Sequence, residues 1–313
     1  MLNAILFITL CFSWGTTWIA IKVGVDAVPP LYFAGTRFLF AGALILLVAG
    51  LIKGWRSLTV RVSDWRELGV MSLLVVSICF GLIFWGEQFV PAGIVAIVVQ
   101  GAIPILLPVF TSLLTGEKFK RNILFSGLIG LTGLGVIFAQ GLVMDTDSSA
   151  LSSPVLLGLL AILVGTVSYC YGSVKGRPLL SRNSPVAIAG WQNLIGGLIT
   201  LLYSFMAEAP SHAAADYLAI FRPDVIFAWA WLVVVGSAIG FVLYIVLLKA
   251  WGAARLSPYA FATPVVAIAI DFFMFGNNLS AQDIVGVVII FIALIVAFCK
   301  PKLRAIDNAN VST

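Results

Sequence analysis

Charge is what this chain has least of. Only 10% of its 313 residues are Asp, Glu, Lys or Arg, against roughly 25% in a typical soluble domain. It has one histidine, His212, and four cysteines, Cys11, Cys79, Cys170 and Cys299, each alone in an apolar run. With so few polar groups a soluble globule could not cover its own surface. The scattered cysteines with no C-x-x-C read as free core thiols, neither a disulfide framework nor a metal site. A hydrolase or metalloenzyme would need motifs that are missing. There is no H-E-x-x-H, no Cys/His cluster and no G-x-S-x-G, since Gly236-Ser-Ala-Ile-Gly240 sets its serine one place early. A Walker A loop is also absent, so nothing points to ATP. No enzyme activity, cofactor, metal or nucleic-acid partner is expected.

What is present is apolar length. Hydrophobic residues make up 61% of the chain, and the mean hydropathy is +1.12. Apolar runs fall at 3–23, 30–52, 67–88, 92–115, 122–143, 153–174, 184–207, 225–248, 254–276 and 281–299. Each is near the 20 or so residues that a membrane-crossing helix needs, and about twice the length of a barrel strand. The first run lacks a basic leader and a small-residue cleavage site, so it reads as a retained helix. The expected fold class is an all-α integral membrane protein with ten transmembrane helices.

Lys and Arg set the expected orientation. With the N-terminus inside, fifteen fall in inner loops or the tail: Lys53, Arg56, Arg61, Arg66, Lys118, Lys120, Arg121, Lys175, Arg177, Arg182, Lys249, Arg255, Lys300, Lys302 and Arg304. The outer loops hold only Arg222. Both termini are therefore expected in the cytoplasm.

The chain also matches itself. Pro30-Leu-Tyr-Phe-Ala-Gly-Thr-Arg37 and Ala41-Gly42 align with Pro185-Val-Ala-Ile-Ala-Gly-Trp-Gln192 and Gly196-Gly197. Pro104 aligns with Pro264, Gly116-Glu117 with Gly276-Asn277, and Trp18 and Lys22 with Tyr171 and Lys175. Two five-span halves with an odd span count are inverted relative to each other, an architecture of secondary transporters that bind substrate near the midplane between the halves. The expected divisions are 1–146, 147–300 and a cytoplasmic tail at 301–313.

Several residues stand out inside this frame. Trp14, Trp18 and Lys22 share a face of span 1 with Thr17 beside them, and Tyr171 and Lys175 repeat the pattern in span 6. An aromatic and cationic face suits a small zwitterion or carboxylate; both lysines are also near enough to span ends to reach headgroups. Phe80, Phe84 and Gln88 share a face of span 3, with Trp85 and Glu87 alongside, and Tyr244 of span 8 matches Phe84. Gln100, Pro104 and Pro108 lie in span 4; Tyr259, Thr263 and Pro264 lie in span 9. A mid-helix proline frees the carbonyl four residues earlier, that of Gln100 for Pro104 and of Ala260 for Pro264. Such irregular backbone at membrane depth belongs against protein or a wet cavity. Arg37, deep in span 2, reads as half of a structural pair more readily than as a substrate contact. Asp271, in span 9, is the deepest acid. It is expected to pair with Lys22 in one state and to take a proton in the other, coupling transport to proton entry. Gly127, Gly130 and Gly133 would let span 5 pack closely.

The motifs Ser13-Trp14-Gly15-Thr16-Thr17, Pro30 to Arg37, Pro104 to Gly116-Glu117 and the glycines of span 5 carry a resemblance. The sequence resembles the drug/metabolite transporter superfamily of the EamA-domain type, over nearly its whole length. That resemblance implies ten transmembrane helices in two inverted five-helix repeats. It also implies a central cavity lined mainly by spans 1, 3, 4, 6, 8 and 9. Members of that family move amino acids, sugars, nucleotide-sugars, drugs and other metabolites, and the most similar bacterial ones export amino acids and related compounds. The sequence departs from the family at Asn277, where a second Glu is usual. The expected substrate site comprises Trp14, Thr17, Trp18, Phe84, Gln88, Gln100, Tyr171, Tyr244, Tyr259 and Thr263. Lys22, Arg37, Asp271, Pro104 and Pro264 are assigned to coupling or gating. A secondary exporter of amino acids or related metabolites is the leading expectation, in the bacterial cytoplasmic membrane as monomer or homodimer, with protons as the candidate coupling ion. A sugar, nucleotide-sugar or drug carrier is the alternative. A scaffold or sensor without transport would lack a cavity between the halves.

Overall fold

The computed structural model describes residues 2–90, 92–117, 121–144, 153–275 and 280–298, with side chains over 2–90, 94–117, 122–137, 153–269 and 280–298. Among these residues every regular element is a helix. Eight helices are long and apolar enough to cross a bilayer. Arg121–Met144 and Tyr259–Phe275 are two further apolar helices, of 24 and 17 residues. Large apolar side chains face outward: Leu51, Ile52, Ile19, Met206 and Phe227 are all more than 65% exposed. In water that surface would be costly; against lipid tails it is not.

Two helix pairs organise the packing. Pro30–Lys53 packs against Pro185–Ala207, most closely at their glycines. A Cβ at Gly42 would fall on the backbone nitrogen of Leu194, and one at Gly197 on that of Leu39. Further along, Gly35 meets Leu201 and Gly190 meets Leu46. As one helix advances the other retreats, so the pair is antiparallel. The contacts are also reciprocal under the sequence match, because Gly42 and Leu39 correspond to Gly197 and Leu194. Small residues let helices in lipid approach closely, which is where van der Waals packing is gained. The second pair, Arg121–Met144 with Ala281–Phe298, repeats the device. Gly133 abuts Ile290 and Gly286 abuts Ile137, while Ser126 Oγ donates to Ala293 O at 2.8 Å.

The long helices are not regular. The first breaks at Thr16 into Leu2–Gly15 and Thr17–Val25. Two others carry π-helical turns, at Leu73–Ile78 and Leu232–Ile239. A π-turn carries its hydrogen bonds one residue further and leaves carbonyls for other donors. Leu74 O accepts from Ser168 Oγ, Val235 O from Ser13 Oγ, and Gly236 O from Trp14 Nε1. These bonds tie both irregular turns to helices of the other half of the chain.

The ends of the central pair are held by carboxylates. Buried Glu208 accepts from the backbone N–H groups of Leu31 and Tyr32 at 2.7 and 3.0 Å, meeting the unpaired donors at the start of Pro30–Lys53. At the opposite end buried Asp64 accepts from Asn183 Nδ2 at 2.7 Å and pairs with Arg182 at 3.2 Å.

Candidate functional site

A cavity lies where helices from both halves meet. About 70 Å³ within it admits the centre of a water molecule. Trp14, Thr17 and Trp18 line it from the first helix, on either side of the break at Thr16. Phe80, Ile83 and Phe84 come from Cys79–Gly86, Gln100 and Ile103 from Ala92–Thr115, Thr166 and Tyr169 from Ser153–Lys175, and Tyr259 and Thr263 from Tyr259–Phe275. Arg37 lines it from Pro30–Lys53.

The local geometry explains why these residue types are here. Gly15 lets the first helix touch the proline-kinked one, since a Cβ there would sit 2.7 Å from Thr263 O. Pro264 cannot donate to Ala260 O. That carbonyl is met instead by the Gln100 amide at 2.9 Å, in the orientation that gives its nitrogen acceptors. The same amide exchanges hydrogen bonds with Thr263 Oγ1 at 2.6 and 2.8 Å and accepts from Trp18 Nε1 at 3.3 Å. One polar knot therefore joins three helices at the cavity wall. Behind Trp14 lies an aromatic cluster. Its ring centroid is 4.9 Å from Tyr259, 5.3 Å from Tyr244 and 5.6 Å from Phe241, and the hydroxyls of Tyr169 and Tyr259 are 3.0 Å apart.

Arg37 is 2% exposed. Its Nε donates to Ser237 Oγ at 2.9 Å, and its guanidinium lies over Phe38, Phe80 and Phe84 at 4.6, 5.7 and 5.8 Å from the ring centroids. Among the described lining residues it is the only charged one.

The structure thus brings Trp14, Thr17, Trp18, Phe84, Gln100, Tyr259 and Thr263 to one cavity, with Pro264 beside them, and it sets others apart. Gln88 is exposed, its Nε2 donating to Trp85 O. The helix stops at Gly86, so the face carrying Phe80 and Phe84 does not continue to position 88. Tyr171 lines a separate recess with Lys175, Arg177 and Lys249, and it accepts from Lys175 Nζ at 3.3 Å. Tyr169, two residues away and so on the other side of the helix, takes the cavity position. Tyr244 is fully buried behind Trp14 and does not line the cavity. Lys22 is exposed and pairs with Asp26 at 2.7 Å; the side chain of Asp271 lies outside the described residues, as do Gly276 and Asn277. Pro104 is buried within its helix. Arg37 has no carboxylate partner within 4.0 Å among the described residues. Glu117, noted in the sequence only as a motif residue, pairs with Arg177 at 2.6 Å across the two halves.

The spans implied by the family are met at the first, third, fourth, sixth and ninth, whereas the eighth stays behind Trp14 and the second enters through Arg37. Tyr169 and Ser237 were not singled out in the sequence. A signal for Tyr169 existed: the offset of 155 that aligns Pro30 with Pro185 also aligns Trp14 with Tyr169.

This architecture has known counterparts. The EamA-like transporter family matches residues 1–139 and again 156–299. The chain belongs to that family. As an EamA-like protein it is a multi-pass membrane transporter. The uncharacterized inner membrane transporter YedA of Escherichia coli is 29% identical, over 93% of this chain and 89% of its own. The uncharacterized transporter YoaV of Bacillus subtilis is 27% identical, over 90% and 92%. Protein PagO of Salmonella typhimurium is 24% identical, over 98% and 97%. One solved structure superimposes with a TM-score of 0.72 at 21% identity, covering 95% of this chain and 96% of that one, a likeness of fold.

Proposed function

We propose that this EamA-like transporter exports small metabolites, amino acids or related compounds, across the bacterial cytoplasmic membrane by alternating access. In this reading ten membrane helices form two inverted repeats, residues 1–146 and 147–300, with both termini cytoplasmic. The observation that carries it is the cavity built jointly by helices of both halves, which a scaffold would not need. The reciprocal glycine packing of Pro30–Lys53 against Pro185–Ala207 supports the inverted repeat, as does its counterpart at Gly133 and Gly286. Counting Arg121–Met144 and Tyr259–Phe275 with the eight longest apolar helices brings the spans to ten. Size supports a small substrate. Only about 70 Å³ of the cavity admits the centre of a water molecule, a small space that suits an amino acid better than a nucleotide-sugar. Aromatic walls with a few fixed polar groups are the usual composition of a small-molecule site.

The test is efflux from preloaded cells expressing the protein, using a mixture of the twenty labelled L-amino acids. Trp18→Ala and Gln100→Ala are expected to cut efflux at least tenfold while the protein remains folded in the membrane. Efflux at the unsubstituted rate in both variants would overturn the site.

A further inference from the structure

A guanidinium removed from water stays charged, and its N–H groups need acceptors. Arg37 satisfies this only in part. Nε is fixed by Ser237 Oγ at 2.9 Å, and Phe38, Phe80 and Phe84 offer their ring faces. Nη1 is buried and has no hydrogen-bond partner among the described residues. Glu87, on the turn after Cys79–Gly86, is a buried acid in the same half of the chain. It forms no ion pair with Arg37 within 4.0 Å, and its own buried Oε2 also lacks a partner. At the equivalent place in the second half, Gln192 is fully buried with both amide atoms unpartnered. Position 37 is thus an oriented donor with a buried, unpaired N–H, on a side chain that lines the central cavity. No carboxylate lines that cavity among the described residues.

We propose that Arg37 is the substrate anchor: its free Nη1 donates to an anionic oxygen, so the transported metabolite carries a carboxylate and no net positive charge. The inference rests on reading the cavity as the substrate site. A planar guanidinium fork suits a carboxylate. Ser237 fixes the direction of the fork from the π-turn, so the anchor is positioned before the ligand arrives. The same arrangement discriminates against cations, which would meet Arg37 with no carboxylate among the described lining residues. An ammonium elsewhere on the substrate is accommodated by the faces of Trp14 and Trp18. A doubly charged phosphate would need a second cation that the described lining lacks.

The experiment is thermal unfolding of the purified full-length protein in detergent at increasing concentrations of four separate mixtures. These are the twenty L-amino acids, their α-amides, straight-chain C2–C6 monocarboxylates, and the matching primary amines. A ligand that binds only the folded state raises the unfolding midpoint. The acids are expected to do so at concentrations at least tenfold lower than the amides or amines, and Arg37→Gln is expected to reduce that preference to within twofold. Should Arg37→Gln not fold, Ser237→Ala removes the oxygen that orients Nε and is expected to lower the preference at least threefold. Equal action of acids and amides, stabilisation by amides or amines alone, or a preference that survives Arg37→Gln would overturn the Arg37 assignment and leave the small-metabolite reading standing. Silence from all four mixtures would overturn both.

Discussion

At Gly42 and Gly197 a single added methyl group would land on a neighbouring backbone nitrogen. Backbone cannot step aside as a flexible side chain can, so the helices must separate, and overpacking of this kind costs about 1–3 kcal/mol. Gly42→Ala and Gly197→Ala should each lower the unfolding midpoint in detergent. Gly135→Ala is the control, because nothing lies within 4 Å of its added Cβ and alanine is the better helix former by about 1 kcal/mol; its midpoint should hold or rise. Single residues are also where the sequence was most and least legible. Trp14, Trp18, Gln100 and Thr263 could be placed together because a proline and an aligned repeat constrain them. Gln88 was placed by helical spacing and Tyr171 by alignment with Trp18; spacing fails where a helix ends, and alignment fails where the repeat offset slips by two residues. Arg37 announced itself as a buried cation, but no pattern in the sequence says whether its partner is a protein carboxylate or a ligand.

Elements were legible as lengths and not as shapes. The apolar runs marked where helices cross, yet the π-turns at Leu73–Ile78 and Leu232–Ile239 left no trace in them. A π-turn adds one residue to a turn and demands no particular residue type, so an apolar run with one looks like an apolar run without. Capping contacts were equally hidden, because they join positions far apart in the chain. Asn183, 8% exposed, donates to Asp64, 3% exposed, and its replacement by Ala would leave that carboxylate short of a donor. The expected cost is about 1–3 kcal/mol. Glu67→Ala removes an outer ion pair with Arg182, in which the Glu67 side chain is 54% exposed, and should cost less than about 1 kcal/mol. Thermal unfolding of the two variants side by side measures the difference.

For the whole molecule, the scarcity of charge was enough to indicate a membrane protein, and the self-match was enough to suggest two related halves. Orientation is the next quantity to measure. Ser63 and Asp216 lie in exposed segments at opposite ends of the helices. With a cysteine-free background, Asp216→Cys should react with an impermeant thiol reagent added to intact cells and Ser63→Cys should not. The reverse pattern would invert the molecule in the membrane. The crossing of Pro30–Lys53 with Pro185–Ala207 has a mechanical consequence. Backbone rests on backbone at Gly42 and Gly197, so no side chain separates the two helices at those points. Under the alternating-access proposal the crossing would serve as the axle: the two halves would turn about it, displacement would be smallest there, and the farther a side chain lies from it, the larger its stroke.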